Sequence, residues 1–167
     1  MNRSYIKRGT KKLGRSKTPR KKYELYLDDL WRTVIHIRDK GLNQYALIKD
    51  GVEKPGKDAH HIFSRRVKNT RWDITNGILV MGAHNFNDPH VHPVRFHEWV
   101  RNKWFKSPAE YDMLKIRSEL MGVKIDRAGT EILLTQELMK IAKLEFGWYT
   151  LSFHKRKQYL LKLRKEV

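Results

Sequence analysis

Asp58-Ala59-His60-His61-Ile62 and, after a loop, Asn76-Gly77-Ile78-Leu79-Val80-Met81-Gly82-Ala83-His84-Asn85 form the stretch on which the reading of this chain turns. Gly77 to Met81 is apolar and β-prone, which predicts a buried strand. Asp58 to Phe63 is expected to be a second strand, entered from a small hairpin. Its tight turn would be Lys49-Asp50-Gly51, after the apolar run Tyr45 to Ile48. Successive side chains of a strand point to opposite faces, so the adjacent histidines divide between two environments. One imidazole can hold a divalent cation while the other takes a proton from water. His84 follows His60 by 24 residues, and an antiparallel pair of strands would bring it back beside the first.

Outward from this stretch the chain reads as helical. Leu27, Leu30, Trp31, Val34 and Ile35 recur at three- and four-residue steps, predicting a helix over Tyr23 to Asp39 that Gly41 ends. Ser64 to Asp73 is an Arg-rich polar loop. His84 onward should open a short helix interrupted at Pro89. Pro93 suits the first turn of another helix, Val94 to Trp104, with an apolar stripe of Phe96, Trp99 and Val100. Ser107-Pro108-Ala109-Glu110 matches a capping box, so 108 to 121 should be helical. Thr130 to Phe146 carries Leu133, Leu134, Leu138, Ile141 and Leu144, a stripe for packing or for a homodimer face. A last basic helix is expected from Leu151 to Lys165. The divisions expected are a basic disordered arm at 1–22, a core with flanking helices at 23–105 and a helical extension at 106–167.

The 167 residues hold 36 Lys and Arg against 18 Asp and Glu, a net charge of +18. Ten of the basic residues and no acidic one lie in residues 1–22, leaving 26 basic to 18 acidic in the remainder. A folded part that is itself basic, preceded by a basic arm, points to nucleic acid as the partner. Cysteine is absent, which excludes disulfides and thiolate zinc sites, so any metal must rest on His, Asp, Glu, Asn or backbone oxygen. No apolar run approaches a transmembrane span, and the N-terminus lacks the apolar stretch of a secretory signal, so a cytoplasmic location and no membrane partner are expected.

Six of the eight histidines fall between residues 60 and 97. The run from Asp58 to Asn85 resembles the HNH (ββα-metal) endonucleases, particularly phage-type members with His-His-Ile, Arg-Trp-Asp and Asn-Gly-Ile followed by Leu-Cys and His. The resemblance covers about residues 42 to 105. It implies an α+β fold: a small ββα-metal core with an N-terminal helix and a helical C-terminal extension. It also implies a protein of phage or mobile-element origin that hydrolyses DNA with one divalent metal ion (Mg, Mn, Ni or Zn). Carried over, His60 and His84 are metal ligands, His61 is the general base and Asn76 pins the loop that orients it. Pro89 to Trp99 resembles the family's continuation, where His90 matches a third ligand. His90 stands six residues after His84 rather than the usual four, and Asp88 holds the four-residue spacing. The third ligand is therefore open between them, with imidazole favoured. Many relatives bind a structural zinc through two Cys-x-x-Cys half-sites. Tyr45, Ile48, Val80 and Ala83 occupy those slots here, so a small hydrophobic cluster is expected instead.

Arg65, Arg66 and Arg71, in the loop between the strands, are candidates to clamp phosphates, since guanidinium matches phosphate geometry. Blander readings stand beside these. Arg65 and Arg66 would suit a merely solvated loop, Asn76-Gly77 a plain turn, and Trp72 a core residue. His97 reads as an ordinary surface residue, His36 and His154 as structural ones, and His92 as a support behind the ligands or a solvent-facing side chain. The rivals are a recombination nuclease of the NinG type acting on branched DNA, a non-catalytic metal-stabilised nucleic-acid-binding module and an RNA-binding protein without metal.

Overall fold

The apolar stripe from Leu27 to Ile35 can be covered only if other elements pack along the whole length of its helix. In the computed structural model, which describes residues 18–81, 93–120, 123–142 and 151–167, that helix (α1, Pro19–Arg38) is the spine. It starts four residues before the expected Tyr23, because Thr18 caps it and Pro19 sits in the first turn with φ already set. Residues 19–22 of the expected disordered arm are therefore helical, and the arm's remainder, 1–17, lies outside the described residues. Leu27, Leu30, Val34 and Ile35 are fully buried.

Two short strands pack on this spine. β1 (Asp58–His61) pairs antiparallel with β2 (Gly77–Val80), placing His60 opposite Ile78 and His61 opposite Gly77. Alternation splits the sheet between two cores. Ala59 and Leu79 face the α1 core, whereas Ile78 and Val80 join a second core. The expected hairpin before β1 does not form. Tyr45 to Ile48 instead lies in a short helix (α2, Gln44–Asp50), capped by the Asn43 side chain and ended by Gly51 at φ +67°. Asn43 and Gly51 are helix-boundary residues as readily as turn residues, and seven residues are too few for periodicity to decide. Ile48 stays exposed, Tyr45 packs edge-on against Trp99, and Trp99 in turn lies against the second core, in which Val80 is buried. Ala83 lies outside the described residues.

The other elements among the described residues are helical. α3 (Pro93–Trp99) runs into a π-helical turn at Val100–Trp104 and is followed by α4 (Pro108–Glu119). These elements complete the second core with Phe96, Val100, Tyr111 and Leu114. The capping box at Ser107 forms only in part: the Ser107 hydroxyl makes no cap bond, and Glu110 accepts from the Lys106 N–H at 3.2 Å. α5 (Arg127–Ala142) and α6 (Phe153–Glu166) lie against α1 and bury Leu134, Leu138 and Leu160 in the first core. The expected helical extension is thus built into the main core. Leu134 and Leu138, the centre of the stripe considered for a dimer, are buried inside the protomer, while Leu133 is 68% exposed. No described helix is long and apolar enough to cross a membrane.

Polar ties fix the helices at defined positions. Arg127 binds Glu24 at 2.7 Å, Arg156 binds Glu131 at 2.9 Å, and the hydroxyls of Tyr23 and Tyr26 donate to the same Glu131. At the other end of α1, Asp39 is 5% exposed and accepts from the Leu79 N–H at 2.8 Å and from Arg38 through both carboxylate oxygens. Arg38 also donates to the carbonyls of Ile74 and Gly77. This clasp fastens the helix end to β2. Asp39→Ala should destabilise the protein by about 2–4 kcal/mol, because it strands a buried N–H and a partly buried guanidinium. Urea unfolding measures this, and a loss under about 1 kcal/mol would contradict the clasp.

Candidate active site

His61 ends β1, and three neighbours hold its ring. The indole of Trp31 stacks on it, with centroids 4.0 Å apart and planes 12° from parallel. The opposite residue, Gly77, makes this approach possible: a Cβ there would lie 2.5 Å from Ile35 and 2.7 Å from Trp31 side-chain atoms. Asn76-Gly77 therefore admits the helix to the sheet. The Nε2 of His61 lies 2.9 Å from the carbonyl of Arg71. A carbonyl can only accept, so Nε2 carries the proton and Nδ1 keeps the lone pair. Burial pushes this imidazole below its ordinary pKa range, opposed by the bond to the Arg71 carbonyl and the charge of Asp28. His61 is thus a neutral base of fixed tautomer at neutral pH.

Asn76 is completely buried and ties the loop leaving β1. Its side chain accepts from the Phe63 N–H at 2.7 Å and donates to the carbonyls of Phe63 and Thr70 at 3.0 and 2.9 Å. Its own carbonyl accepts from the Ile62 N–H at 3.0 Å. One side chain thereby closes the loop from residue 63 to 70 just beyond His61.

His60 occupies the other face and meets Phe96 of α3 edge-on, with ring centroids 5.6 Å apart. The other expected ligands, His84 and His90, and the alternative Asp88, lie outside the described residues. Among the described residues no three His, Asp or Glu side chains form a metal-binding group. Residues 82–92 follow β2, the strand paired with His60, and lead into α3, whose Phe96 touches His60.

The arginines of the loop separate into two kinds. Arg65 and Arg66 are exposed. Arg71 binds Asp28 with two nitrogens, at 2.9 and 2.6 Å, and its guanidinium lies over the ring of Trp72. Its side chain is committed to α1, and its carbonyl serves His61. Asp28 also accepts from Trp72 Nε1 at 2.8 Å, and Trp72, 6% exposed, belongs to the first core. Asp28, Trp31 and the Arg71 carbonyl are the supports that local sequence pattern does not mark. The two side chains meet partners 30 or more residues away, and a main-chain carbonyl carries no residue-specific trace.

His97 shares a 2.9 Å hydrogen bond with the Tyr111 hydroxyl, and His36 donates to the Lys57 carbonyl at 3.1 Å. Burial lowers the pKa of both, as it does for His61. The chain matches no known family model, no curated protein and no solved structure.

These three histidines fold in the neutral form. Their folded pKa values lie below the unfolded value, so the stability they allow is complete above about pH 6.5 and declines as pH falls through the folded values. NMR titration should place all three imidazoles below the ordinary histidine value, and urea midpoints should drop on the acid side of about pH 6.5. A midpoint that rises there would contradict this. Asn76→Ala should cost about 2–4 kcal/mol and speed exchange of the Phe63 amide, since it removes three hydrogen bonds and takes the side-chain partner from the half-buried N–H and carbonyl of Phe63.

Proposed function

We propose that this chain is an HNH-type endonuclease that hydrolyses DNA phosphodiester bonds with one divalent metal ion. The observation that carries the reading is His61: a neutral imidazole with its proton fixed on Nε2, adjacent in sequence to a second histidine on the opposite face of the strand. A structural metal site has no use for a base held in this way. The net charge of +18 supports a polyanionic substrate.

In this reading Nδ1 of His61 accepts the proton of the water that attacks phosphorus in line with the leaving 3′ oxygen. The Arg71 carbonyl stabilises the imidazolium so formed by accepting from its Nε2–H, and Trp31 prevents the ring from turning. Asn76 keeps the loop beyond the base from moving away. His60, His84 and either His90 or Asp88 hold the cation (Mg, Mn, Ni or Zn), which when bound supplies charge stabilisation to the scissile phosphate and the departing oxygen.

Plasmid nicking tests this directly. The protein should relax supercoiled DNA in at least one of Mg²⁺, Mn²⁺, Ni²⁺ or Zn²⁺ and lose that activity in EDTA. His61→Ala should lower the rate by about 10²–10⁴-fold while metal binding by calorimetry persists. His60→Ala should weaken metal binding itself. Because burial lowers the pKa of His61, the acid limb of kcat/KM should fall below about pH 6.5. Stoichiometric metal binding without cleavage in any of the four metals would instead identify a non-catalytic binding module.

A further inference from the structure

The first turns of α1 and the loop after β1 wall a cleft of about 630 Å³. Arg20 and Lys21 line it from the helix, and Arg65, Arg66 and Lys68 from the loop. All five are exposed. The cleft also contains Glu24 and Asp28, but their carboxylates are engaged by Arg127 and Arg71 at 2.7 and 2.6 Å, and Glu24 also accepts from Arg20 at 3.4 Å. Among the described residues no carboxylate pairs with Lys21, Arg65, Arg66 or Lys68, so the cleft presents uncompensated positive charge.

The helix start sharpens this. A helix N-terminus carries partial positive charge and favours acidic side chains in its first turn. α1 has none there and places Arg20, Lys21 and Lys22 instead. Those cations oppose the helix dipole and one another, a cost that a bound anion would relieve. Thr18, which lines the cleft, is joined directly to residues 1–17, where seven more cations and no carboxylate lie. Among the described residues no aromatic ring lines the cleft, and Leu25 is its one strongly apolar lining residue. The cleft therefore offers charge to phosphates and no ring on which a base could stack.

We infer that this cleft seats the sugar–phosphate backbone of a nucleic-acid strand without reading its bases. It rests on the nuclease reading only in taking nucleic acid as partner. The Arg71 side chain lines the cleft while its carbonyl accepts from His61, so one residue joins the cleft wall to the support of the imidazole. Arg20, Lys21 and Lys68 thereby join Arg65 and Arg66 in one track, whereas Arg71 serves as part of its wall.

The test is binding in EDTA on a His61→Ala background, which separates it from cleavage. Fluorescence anisotropy with labelled single-stranded and duplex oligonucleotides of scrambled sequence compares two triple variants. Lys21→Ala/Arg65→Ala/Arg66→Ala strips the cleft of charge, and Lys155→Ala/Lys162→Ala/Lys165→Ala removes equal charge from the exposed face of α6. The cleft variant should bind at least about tenfold more weakly, equally for all sequences. Its slope of log affinity against log salt should fall by roughly two to three, at about 0.7–0.9 for each phosphate no longer neutralised. The α6 variant should weaken binding less than about threefold, and circular dichroism should show both folded. Equal weakening by the two variants, an unaffected cleft variant or a strong sequence preference that disappears with the cleft charges would overturn the inference. Weakened binding to phosphatidylserine vesicles with oligonucleotide binding intact would do so too. A protein that binds through the cleft yet never nicks DNA would remove the nuclease reading and leave the cleft standing.

Discussion

The indole of Trp31 lies on the imidazole of His61, and its Nε1 donates to the carbonyl of Asp73 at 3.0 Å. Helix, strand and loop meet at this one indole, which requires the glycine at 77 because a side chain there would occupy the space the indole fills. A helix that approaches so closely buries its own stripe and presents Asp28 to the loop on the same side. The loop answers with Arg71 and Trp72. The core and the candidate site are therefore one construction: the packing that hides α1 also immobilises the imidazole.

Much of this was legible in the sequence, for definable reasons. The stripe on α1 and the apolar run at 77–80 are patterned clearly enough for one reading to dominate. The division of His60 and His61 between two faces follows from strand geometry alone, and the two rings do lie in separate environments, against Phe96 and Trp31. Local pattern is silent where identity and partner are decoupled. Arg71 has the composition of a phosphate clamp, but its carboxylate stands 43 residues upstream. Asn76-Gly77 has the composition of a turn, yet Asn76 is a fully buried tie and Gly77 a gap for an indole. Gln44–Asp50 is too short for its period to be read, and Asn43 and Gly51 suit either a helix boundary or a turn.

The acidic side chains follow a common logic. Glu24, Asp28, Asp39, Asp73, Asp112 and Glu131 each pair with an arginine that joins or reinforces elements. Each tie pairs one negative with one positive charge, so the net charge of +18 is carried by the cations these pairs do not use.

The dependence of α1 on distant helices has a consequence for how the chain is made. Its apolar stripe leaves the ribosome early, but Leu134, Leu138 and Leu160, which cover it, are synthesised roughly 100 residues or more later. Pairings of such separation close late, so the first core is completed only once Leu160 has been made. Through that interval the stripe is preceded in the chain by a strongly basic segment. Like-charge repulsion between nascent chains opposes their association while the helix waits for its cover.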